Sequence, residues 1–596
     1  MIQIPVNDWM TSMGSVALMR LAPTNQEWQT EANRLSVSFN WIEKIPEFLF
    51  EYIVNHYSVA ERENEAIKNL AISLTRRVND KAKYKENMKW VNERAKKSLD
   101  KVKKYFPEYS DECDRITNTL KEAMKNQEFD VVGHSVQEFY QLIKQKKINQ
   151  KLTLNFAKSS SLLAQSGGQA SFLNVAKNKL TYEEQMELFC KDYITPLLWE
   201  IRLRKNFELG DEEKIEELFK LGEKPNYTSS WLKEKKKAKL TWYEWLKGLP
   251  ECSLIEGQWG TMAFEEMYFV PLGMSMKNTY NYAWDGNLDT TQSISSLARL
   301  LLLLAPLGSQ SYKRPFKGEE LTVFGFLYDQ SSCENTFFLN NQFSNAMRKD
   351  VKFSEALRDT FSKVTELEEQ RKQSSMLIEW MTEYKMKKTV LEYRPLHPTF
   401  VQYVLSEQSK VTSRIYPIAF REKIVRAAMD NLDSKHIIWK EMRRVIGESD
   451  KHRHTGSIRN ALLMREKLIL IKGGKTLTTN KTMTDQMYGI GYRLSKTLNV
   501  DGTSNEPNNY RASANKKMTS VAYRLMNAAK AGNRQLFMDT ALRLHVAAGM
   551  SINPAFIRAI DPKTSDSEFA TIAMAFVAGL IPSEIKQQDQ EKQIIN

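Results

Sequence analysis

The sequence has few of the residues that build metal and redox sites. Its four cysteines, Cys113, Cys190, Cys252 and Cys333, lie far apart, and no two of them have the C-x-x-C spacing of zinc or dithiol chemistry. We therefore predict no metal site and no cofactor. A reducing, cytoplasmic setting is the simplest interpretation of four scattered thiols.

Long apolar runs are also missing. The most apolar stretch, 297–307, is interrupted by Arg299, and it is shorter than the roughly 20 residues that cross a bilayer as a helix. The first residues, MIQIPVNDWM, do not contain the basic segment followed by an apolar segment that marks a secretory signal. We expect neither membrane insertion nor export.

Catalytic motifs are scarce. There is no G-x-S-x-G elbow and no H-E-x-x-H helix. The segment 469–476 resembles a phosphate-binding loop, but Ile469 stands where the first glycine is required, so a basic turn fits better. His436, His452 and His454 form the one histidine cluster, and neighbouring basic residues oppose a bound cation there. We predict that the protein is not an enzyme, with a metal-dependent nuclease as the alternative.

Acidic residues are scarce in one region near the C-terminus. Residues 435–560 contain 22 Lys and Arg against 8 Asp and Glu, a net charge of +14, and the whole chain has 86 against 72, which is also +14. The remaining residues therefore sum to zero. A positive charge concentrated in one region produces a sustained local potential, which indicates a polyanionic partner.

The hydrophobic pattern predicts an α+β fold with a mixed domain over 1–412. Residues 60–145 are charged and show helical periodicity, which predicts two or three long amphipathic helices. The pattern over 9–21 predicts a helix that ends before Pro23. Alternation over 35–39 predicts a strand, and 233–239 is predicted to be a lysine-rich turn. Further along we predict a small irregular sheet, a helix over 354–386 and an extended segment over 390–398.

The last part of the chain, 413–596, is predicted to be an all-α, basic helical bundle. Apolar residues recur there at spacings of three and four over 519–531, 535–549 and 567–580. Asn533 and Ser567 stand where helix N-caps are expected. The short loops between these segments favour antiparallel neighbours.

The basic residues of this bundle are predicted to contact nucleic-acid phosphates without reading sequence. They recur over several predicted helices, so bundling can gather them on one surface. Scattered solvating charges are the alternative. The candidate contacts are Arg443, Arg444, Lys472, Lys475, Lys516, Lys517, Arg524, Arg534 and Arg543.

Several blocks along the chain are distinctive. They are 4–14 (IPVNDWMTSMG), 168–174 (GQASFLN), 271–275 (PLGMS) with 281–286 (NYAWDG), 519–544 and 569–580. These blocks resemble those of the large subunit of type I-B CRISPR Cascade complexes and occur in that family's order, and the strongest likeness is in the C-terminal helices. Many relatives have cysteine pairs near the central block, but here Cys252 stands alone and Ser-Ser-Leu-Ala occupies 295–298, so we expect no zinc ribbon.

The resemblance implies a noncatalytic subunit of an RNA-guided surveillance complex. In such complexes the guide reads most of the target by base pairing, while protein reads a short adjacent motif on duplex DNA. The implied partners are guide RNA, target DNA, the Cascade backbone and small subunits, and a helicase-nuclease. The N-terminal domain would recognise the motif, and the C-terminal bundle would stabilise the R-loop and the displaced strand. A standalone basic nucleic-acid-binding protein is the alternative.

With this resemblance, a Ser/Gly-rich loop becomes the candidate site for the adjacent motif. Glycines permit close approach of the backbone, amide side chains meet base edges, and lysines meet phosphates. An ordinary flexible connector is the alternative. The candidate residues are Gly167, Gly168, Gln169, Ser171, Asn174, Lys177 and Lys179.

Overall fold

The computed structural model describes residues 1–22, 27–160, 171–222, 224–264, 292–316, 319–330, 332–347, 353–364, 375–383, 388–447, 454–473, 482–498 and 514–581. This part of the chain is mainly helical, with small antiparallel sheets. The α+β class is confirmed at that level.

The described part of 1–247 contains twelve α-helices and three strands. In order they are β1 (Ile2–Pro5), α1 (Trp9–Leu21), β2 (Trp28–Glu31), β3 (Arg34–Val37), α2 (Phe39–His56), α3 (Val59–Arg76), α4 (Lys81–Tyr105), α5 (Ser110–Asn126), α6 (Phe129–Lys144), α7 (Lys146–Ser160), α8 (Tyr182–Phe189), α9 (Thr195–Glu208), α10 (Glu212–Lys220), α11 (Thr228–Ala238) and α12 (Trp242–Lys247). A π-helical turn, Cys190–Ile194, joins α8 to α9.

The described elements after residue 247 begin with short strands and end in helices. In order they are β4 (Met262–Ala263), β5 (Ser293–Ile294), α13 (Ser296–Gly308), β6 (Gln310–Phe316), β7 (Glu319–Asp329), α14 (Cys333–Met347), α15 (Phe353–Val364), β8 (Ser375–Glu383), β9 (Lys388–Pro395), α16 (Pro398–Leu405), α17 (Ile418–Met429), α18 (Lys435–Gly447), α19 (Thr455–Lys472), α20 (Met483–Leu498), α21 (Ala514–Lys530), α22 (Arg534–Ala547), α23 (Ile557–Ile560) and α24 (Asp566–Leu580).

The chain divides into two compact units. The first contains 1–311, 322–340 and 379–392, and the second contains 312–321, 341–378 and 393–596. The predicted boundary after residue 412 falls inside the long final segment of the second unit. A four-stranded sheet of order β6-β7-β8-β9 has residues assigned to both units.

The N-terminal segment of the first unit contains the predicted helix and strand, but the strand predicted over 35–39 ends at Val37 because α2 begins at Phe39. Strand β3 pairs antiparallel with both β1 and β2, and α1 has the predicted limits because Asp8 caps its start. Helix α1 packs closely on α13, where a Cβ added at Gly14 or Gly308 would overlap the facing helix. Across the described ranges, no helix is both long enough and apolar enough to cross a bilayer.

The charged segment predicted as two or three helices forms four helices, α3 to α6, which pack with α7 around a common core. Asp80 caps α4, Pro107 begins a 3-10 turn after it, and Gln127 has a left-handed φ of 62° after α5. These breaks are short, so helical periodicity on both sides conceals them. The core includes Ile67, Leu99, Leu120, Phe139 and Ile148.

An aromatic cluster joins α9 to α12 in the same unit. The rings of Phe219 and Trp242 stack at 3.7 Å between centroids, and Trp231 packs nearby. The lysine-rich turn predicted over 233–239 is wrong, because most of it continues α11 to Ala238. The apolar anchor of that helix is Trp231, which is buried, and the lysines extend from its other faces.

The helix predicted over 354–386 is also wrong in its second half. Helix α15 ends at Val364, and 375–383 is the strand β8, which lies between β7 and β9. Leu377, Ile378 and Trp380 are all buried. A central strand that is covered on both faces does not alternate in hydrophobicity, so its sequence resembles a buried helix. The extended segment predicted over 390–398 is confirmed as far as Pro395 by β9, and Pro398 begins α16.

The second unit contains the helical bundle, which is assembled around α24. Every residue of that helix from Phe569 to Leu580 is buried, and α19, α20 and α21 pack on it. The cap predicted at Asn533 is confirmed by its hydrogen bond from the Leu536 N–H. The cap of α24 is Ser565 rather than Ser567.

Candidate nucleic-acid interface

A basic cavity lies between α17 and α18 in the second unit. It has a volume of about 460 Å³, and its lining includes Lys423, Lys440, Arg443 and Arg444 with the single carboxylate Glu441. We call it the α17–α18 cavity. It combines two of the predicted contacts, Arg443 and Arg444, with two lysines that the prediction omitted.

The pattern of α18 explains why these cations share one surface. Ile438, Trp439, Met442 and Val445 are buried, so the helix is anchored along one face. Residues three and four apart lie on the same face of a helix, which places Lys440, Arg443 and Arg444 together. They are exposed to solvent.

The charge of the α17–α18 cavity is only partly neutralised. Glu441 accepts hydrogen bonds from Arg444, with Nη2 at 2.5 Å and Nε at 3.1 Å from its oxygens. Within the described ranges, Lys423, Lys440 and Arg443 form no ion pair. Four cations against one carboxylate give a net charge of +3. Such a cavity suits a phosphate, because guanidinium and ammonium groups both donate hydrogen bonds to its oxygens.

Five other predicted contacts lie on the helices around α24 or at their ends. Arg524 on α21 and Arg543 on α22 are exposed. Lys472 is also exposed at the end of α19, where its ammonium donates a 3.0 Å hydrogen bond to the carbonyl of Asn431. Lys516 and Lys517 are in the first turn of α21. Lys475 lies outside the described residues.

Arg534, by contrast, acts inside the fold. Its guanidinium donates to the carbonyls of Asp561 and Thr564 and to a carboxylate oxygen of Asp566, at 2.7 to 3.0 Å, and it lies 5.1 Å from the centroid of the Phe569 ring. These contacts fasten the start of α22 to the start of α24. Because they occupy the guanidinium, a substitution of Arg534 would test folding as much as binding.

A second arginine of the basic region is buried in the bundle. Arg465 has an exposed side-chain fraction of 2% and pairs with Asp433 at 2.6 Å, and it also donates to the hydroxyls of Ser567 and Thr571. Burial would raise the pKa of Asp433, but the hydrogen bonds and the charge of Arg465 outweigh it and the pKa is lowered. The charge of Arg465 is therefore used inside the bundle.

The candidate loop site is described only from Ser171 onward, and Gly167, Gly168 and Gln169 lie outside the described residues. Ser171 has a left-handed φ of 52°. Asn174 accepts a hydrogen bond from the Ala176 N–H and so caps a 3-10 turn, Val175–Lys179. Lys177 and Lys179 are exposed on that turn. The two lysines have the exposure that phosphate contacts require, whereas the amide of Asn174 has a local structural role.

Two buried lysines that the sequence analysis missed hold this segment. Lys158 donates to Oδ1 of Asn178 at 3.1 Å and to the side chain of Gln185, and Lys151 donates to the carbonyl of Leu180. Burial, together with a smaller effect of the nearby charge of Lys151, lowers the pKa of Lys158 to about 7. The sequence could have indicated this pair, because Lys151 and Lys158 are seven residues apart. That spacing is about two helical turns and places both lysines on one face of α7.

The motifs that carry the family resemblance have structural roles where they are described. Asp8 caps α1, with the N–H groups of Met10 and Thr11 at 2.7 and 3.1 Å, and Trp9 packs against Trp380. At the place where the chain departs from the family's cysteine pattern, Ser295 caps α13, and its N–H donates to the sulfur of the buried Cys252 at 3.3 Å. The block 271–286 lies outside the described residues.

The histidine cluster is only partly described. His436 and His454 are both exposed, and His452 lies outside the described residues. In the part of the chain that the structure covers, no three His, Cys, Asp or Glu side chains are grouped as metal ligands would be.

The chain matches no protein-family model and no curated protein sequence.

Proposed function

We propose that this chain is a noncatalytic nucleic-acid-binding subunit, and that it serves as the large subunit of a type I-B CRISPR surveillance complex in the cytoplasm. The α17–α18 cavity is the observation that carries the first part, because it is a compact, net-positive site of suitable size for backbone phosphate. The resemblance of the sequence blocks supports the second part. In this role the bundle stabilises the R-loop and the displaced strand, and 167–179 contacts the adjacent motif.

The cavity predicts a specific loss of affinity on charge reversal. Replacing Lys440 and Arg443 by Glu should lower the affinity for an opened DNA duplex by about tenfold or more, and should make the slope of log affinity against log salt shallower by about 1.4 to 1.8. The reason is that each cation removed from the protein leaves one phosphate unneutralised, so binding releases one fewer counterion from the DNA. Fluorescence anisotropy over a range of salt concentrations measures both quantities.

A matched variant separates this site from general charge. Lys410 and Lys563 are exposed residues of the same unit that do not line the cavity, so Lys410→Glu with Lys563→Glu makes the same change in net charge. We expect this pair to retain the wild-type affinity. If the two double variants weaken binding equally, the cavity is not the contact.

The loop predicts a loss that depends on the target. Gln169→Ala with Lys177→Ala and Lys179→Ala should weaken binding to targets with the adjacent motif much more than to targets without it, because only the former offer the base edges that are read. Asn174 is left unchanged, since loss of a helix cap costs about 1 kcal/mol of local stability. Equal affinities of the variant and the wild type for both targets would identify the loop as a connector.

Purification distinguishes the proposed surveillance complex from the two alternative functions, a standalone binding protein and a nuclease. Copurification with guide RNA and Cascade backbone subunits supports the surveillance role, and binding to nucleic acid without such partners supports a standalone binding protein. Cleavage of DNA by the purified chain with added divalent metal would instead support the nuclease alternative.

A further inference from the structure

Helix α4 is the most charged element of the first unit. It contains ten Lys and Arg against three Asp and Glu, so 10 − 3 gives a net charge of +7 within 25 residues. Acidic residues elsewhere cancel this excess when the chain outside 435–560 is summed as a whole. A helix with this charge produces a sustained positive potential around it.

Four residues of α4 form a stripe along a groove. Trp90, Arg94, Lys97 and Lys101 follow one another at spacings of four, three and four, which places them on one face of the helix. All four line a groove of about 480 Å³, together with Arg62 of α3 and Phe156 of α7. We call it the α4 groove.

The α4 groove combines an exposed aromatic ring with cations. The Trp90 side chain is unusually accessible for a tryptophan, with 55% of its surface exposed. The guanidinium of Arg62 lies 3.5 Å from the centroid of the Phe156 ring. Aromatic faces stack on unpaired bases, and the surrounding cations meet the phosphates between them.

The positive charge of the α4 groove exceeds what its acids neutralise. Glu63 is nearly buried and pairs with both Arg62 and Arg94, at 2.5 and 2.6 Å. Glu93 is the second acid that lines the groove, and its carboxylate lies 3.8 Å from the ammonium of Lys89. Burial lowers the pKa of Lys101, and the charges of Lys97 and Arg62 lower it further. A bound anion would relieve this crowding of cations.

We propose that the α4 groove is a second nucleic-acid site, which binds a single strand by stacking a base on Trp90 and holding the adjacent phosphates with Lys97 and Lys101. A duplex does not satisfy this site, because its bases are already stacked and paired. The site is separate from the α17–α18 cavity in residues and in unit, so either can fail without the other.

The test is binding of labelled oligo(dT) and oligo(U) to the full chain, in a Lys440→Glu, Arg443→Glu background that weakens the other site. Trp90→Ala should lower the affinity about tenfold, as expected for the loss of one stacked base, and Trp90→Phe should retain most of it. Because Trp90 is exposed, neither change removes core packing. The two oligonucleotides show whether the site prefers DNA or RNA.

A matched pair on the same helix tests the charges. Lys97→Glu with Lys101→Glu should weaken binding by about tenfold or more and make the salt slope shallower by about 1.4. Lys85 and Lys96 are exposed on α4 and do not line the groove, so Lys85→Glu with Lys96→Glu should retain the affinity.

Three results would overturn the proposal. The first is a Trp90→Ala protein that binds both oligonucleotides as tightly as its parent. The second is an equal loss from the two charge-reversal pairs. The third is an equal effect of Trp90→Ala on binding of poly-glutamate, which would indicate an acidic polypeptide as the partner. Photocrosslinking of iodouridine-substituted oligonucleotide to the peptide containing Trp90 would support the proposal directly.

Discussion

Replacing Gly491 by Ala is expected to destabilise the C-terminal bundle by about 3 kcal/mol, because the new methyl group has no space. Gly491 of α20 faces Gly579 of α24, and a Cβ at Gly491 would overlap the carbonyl oxygen of Phe576. That oxygen belongs to the backbone of a helix that is buried on all sides, so it cannot move aside cheaply. Urea unfolding followed by circular dichroism measures the change.

The same helix provides the control. Gly489 lies two residues away in α20, and a Cβ there would have no heavy atom within 4 Å. Gly489→Ala should therefore stabilise the bundle, by roughly 0.5 to 1 kcal/mol, since alanine loses less conformational freedom than glycine in a helix. Equal effects of the two substitutions would show that the helices do not approach closely at Gly491.

Removing the Glu200 carboxylate is expected to have a comparable effect on the first unit. Glu200 of α9 is buried, and it accepts hydrogen bonds from the hydroxyls of Tyr227, Thr261 and Ser296 at 2.5 to 2.6 Å and from the Ser296 N–H at 3.0 Å. Glu200→Ala leaves these donors without an acceptor, which should cost about 3 to 5 kcal/mol. Thermal unfolding measures this loss of stability when it is followed by the near-ultraviolet circular dichroism of the aromatic cluster.

The free energy of unfolding should also depend on pH, in a direction set by the pKa of Glu200. Burial raises the pKa of Glu200 above its ordinary value of 4.5, and the hydrogen bonds from Ser296, Thr261 and Tyr227 oppose that rise. The folded state thus holds the proton more tightly than the unfolded state. The free energy of unfolding should therefore decrease as pH rises from about 4.5 through the folded pKa.

Glu200→Gln isolates that contribution. The amide can keep the three hydroxyl bonds to its oxygen, but its NH2 group faces the Ser296 N–H, so one hydrogen bond is lost. Because glutamine does not titrate, the advantage of the wild type over this variant should diminish with rising pH. An advantage that grows with pH would mean that the pKa of Glu200 is lowered in the fold.

The sequence predicted well wherever local signals decide the structure. Helix α1 begins after Asp8, whose side chain caps it, and α22 begins after Asn533 for the same reason. The prediction failed at β8, because a strand that is buried on both faces does not alternate between apolar and polar residues. It also failed at the start of α24, where Ser567 was predicted as the cap and Ser565 is the cap. Local chemistry fixes where a helix can start, but competing hydrogen bonds select the residue that caps it.

The candidate sites were only partly predictable for a related reason. Sequence identified the basic region but treated its arginines alike. In the fold, Arg443 is exposed to solvent, whereas Arg465 and Arg534 form hydrogen-bonded ion pairs within the protein. Arg465 pairs with Asp433 and Arg534 pairs with Asp566, and in both pairs the acid lies 32 residues away in the sequence. Nothing in the local sequence indicates these pairings. The α4 groove was missed because summing charge over a long range conceals one strongly basic helix.

The sequence by itself determined that this is a mainly helical chain with an excess of positive charge near its C-terminus and with few residues for metal or thiol chemistry. These properties follow from composition and from periodicities shorter than two helical turns. Tertiary structure decided which cations remain available to a partner. That depends on where each helix meets its neighbours, and those contacts join residues that are far apart in the sequence.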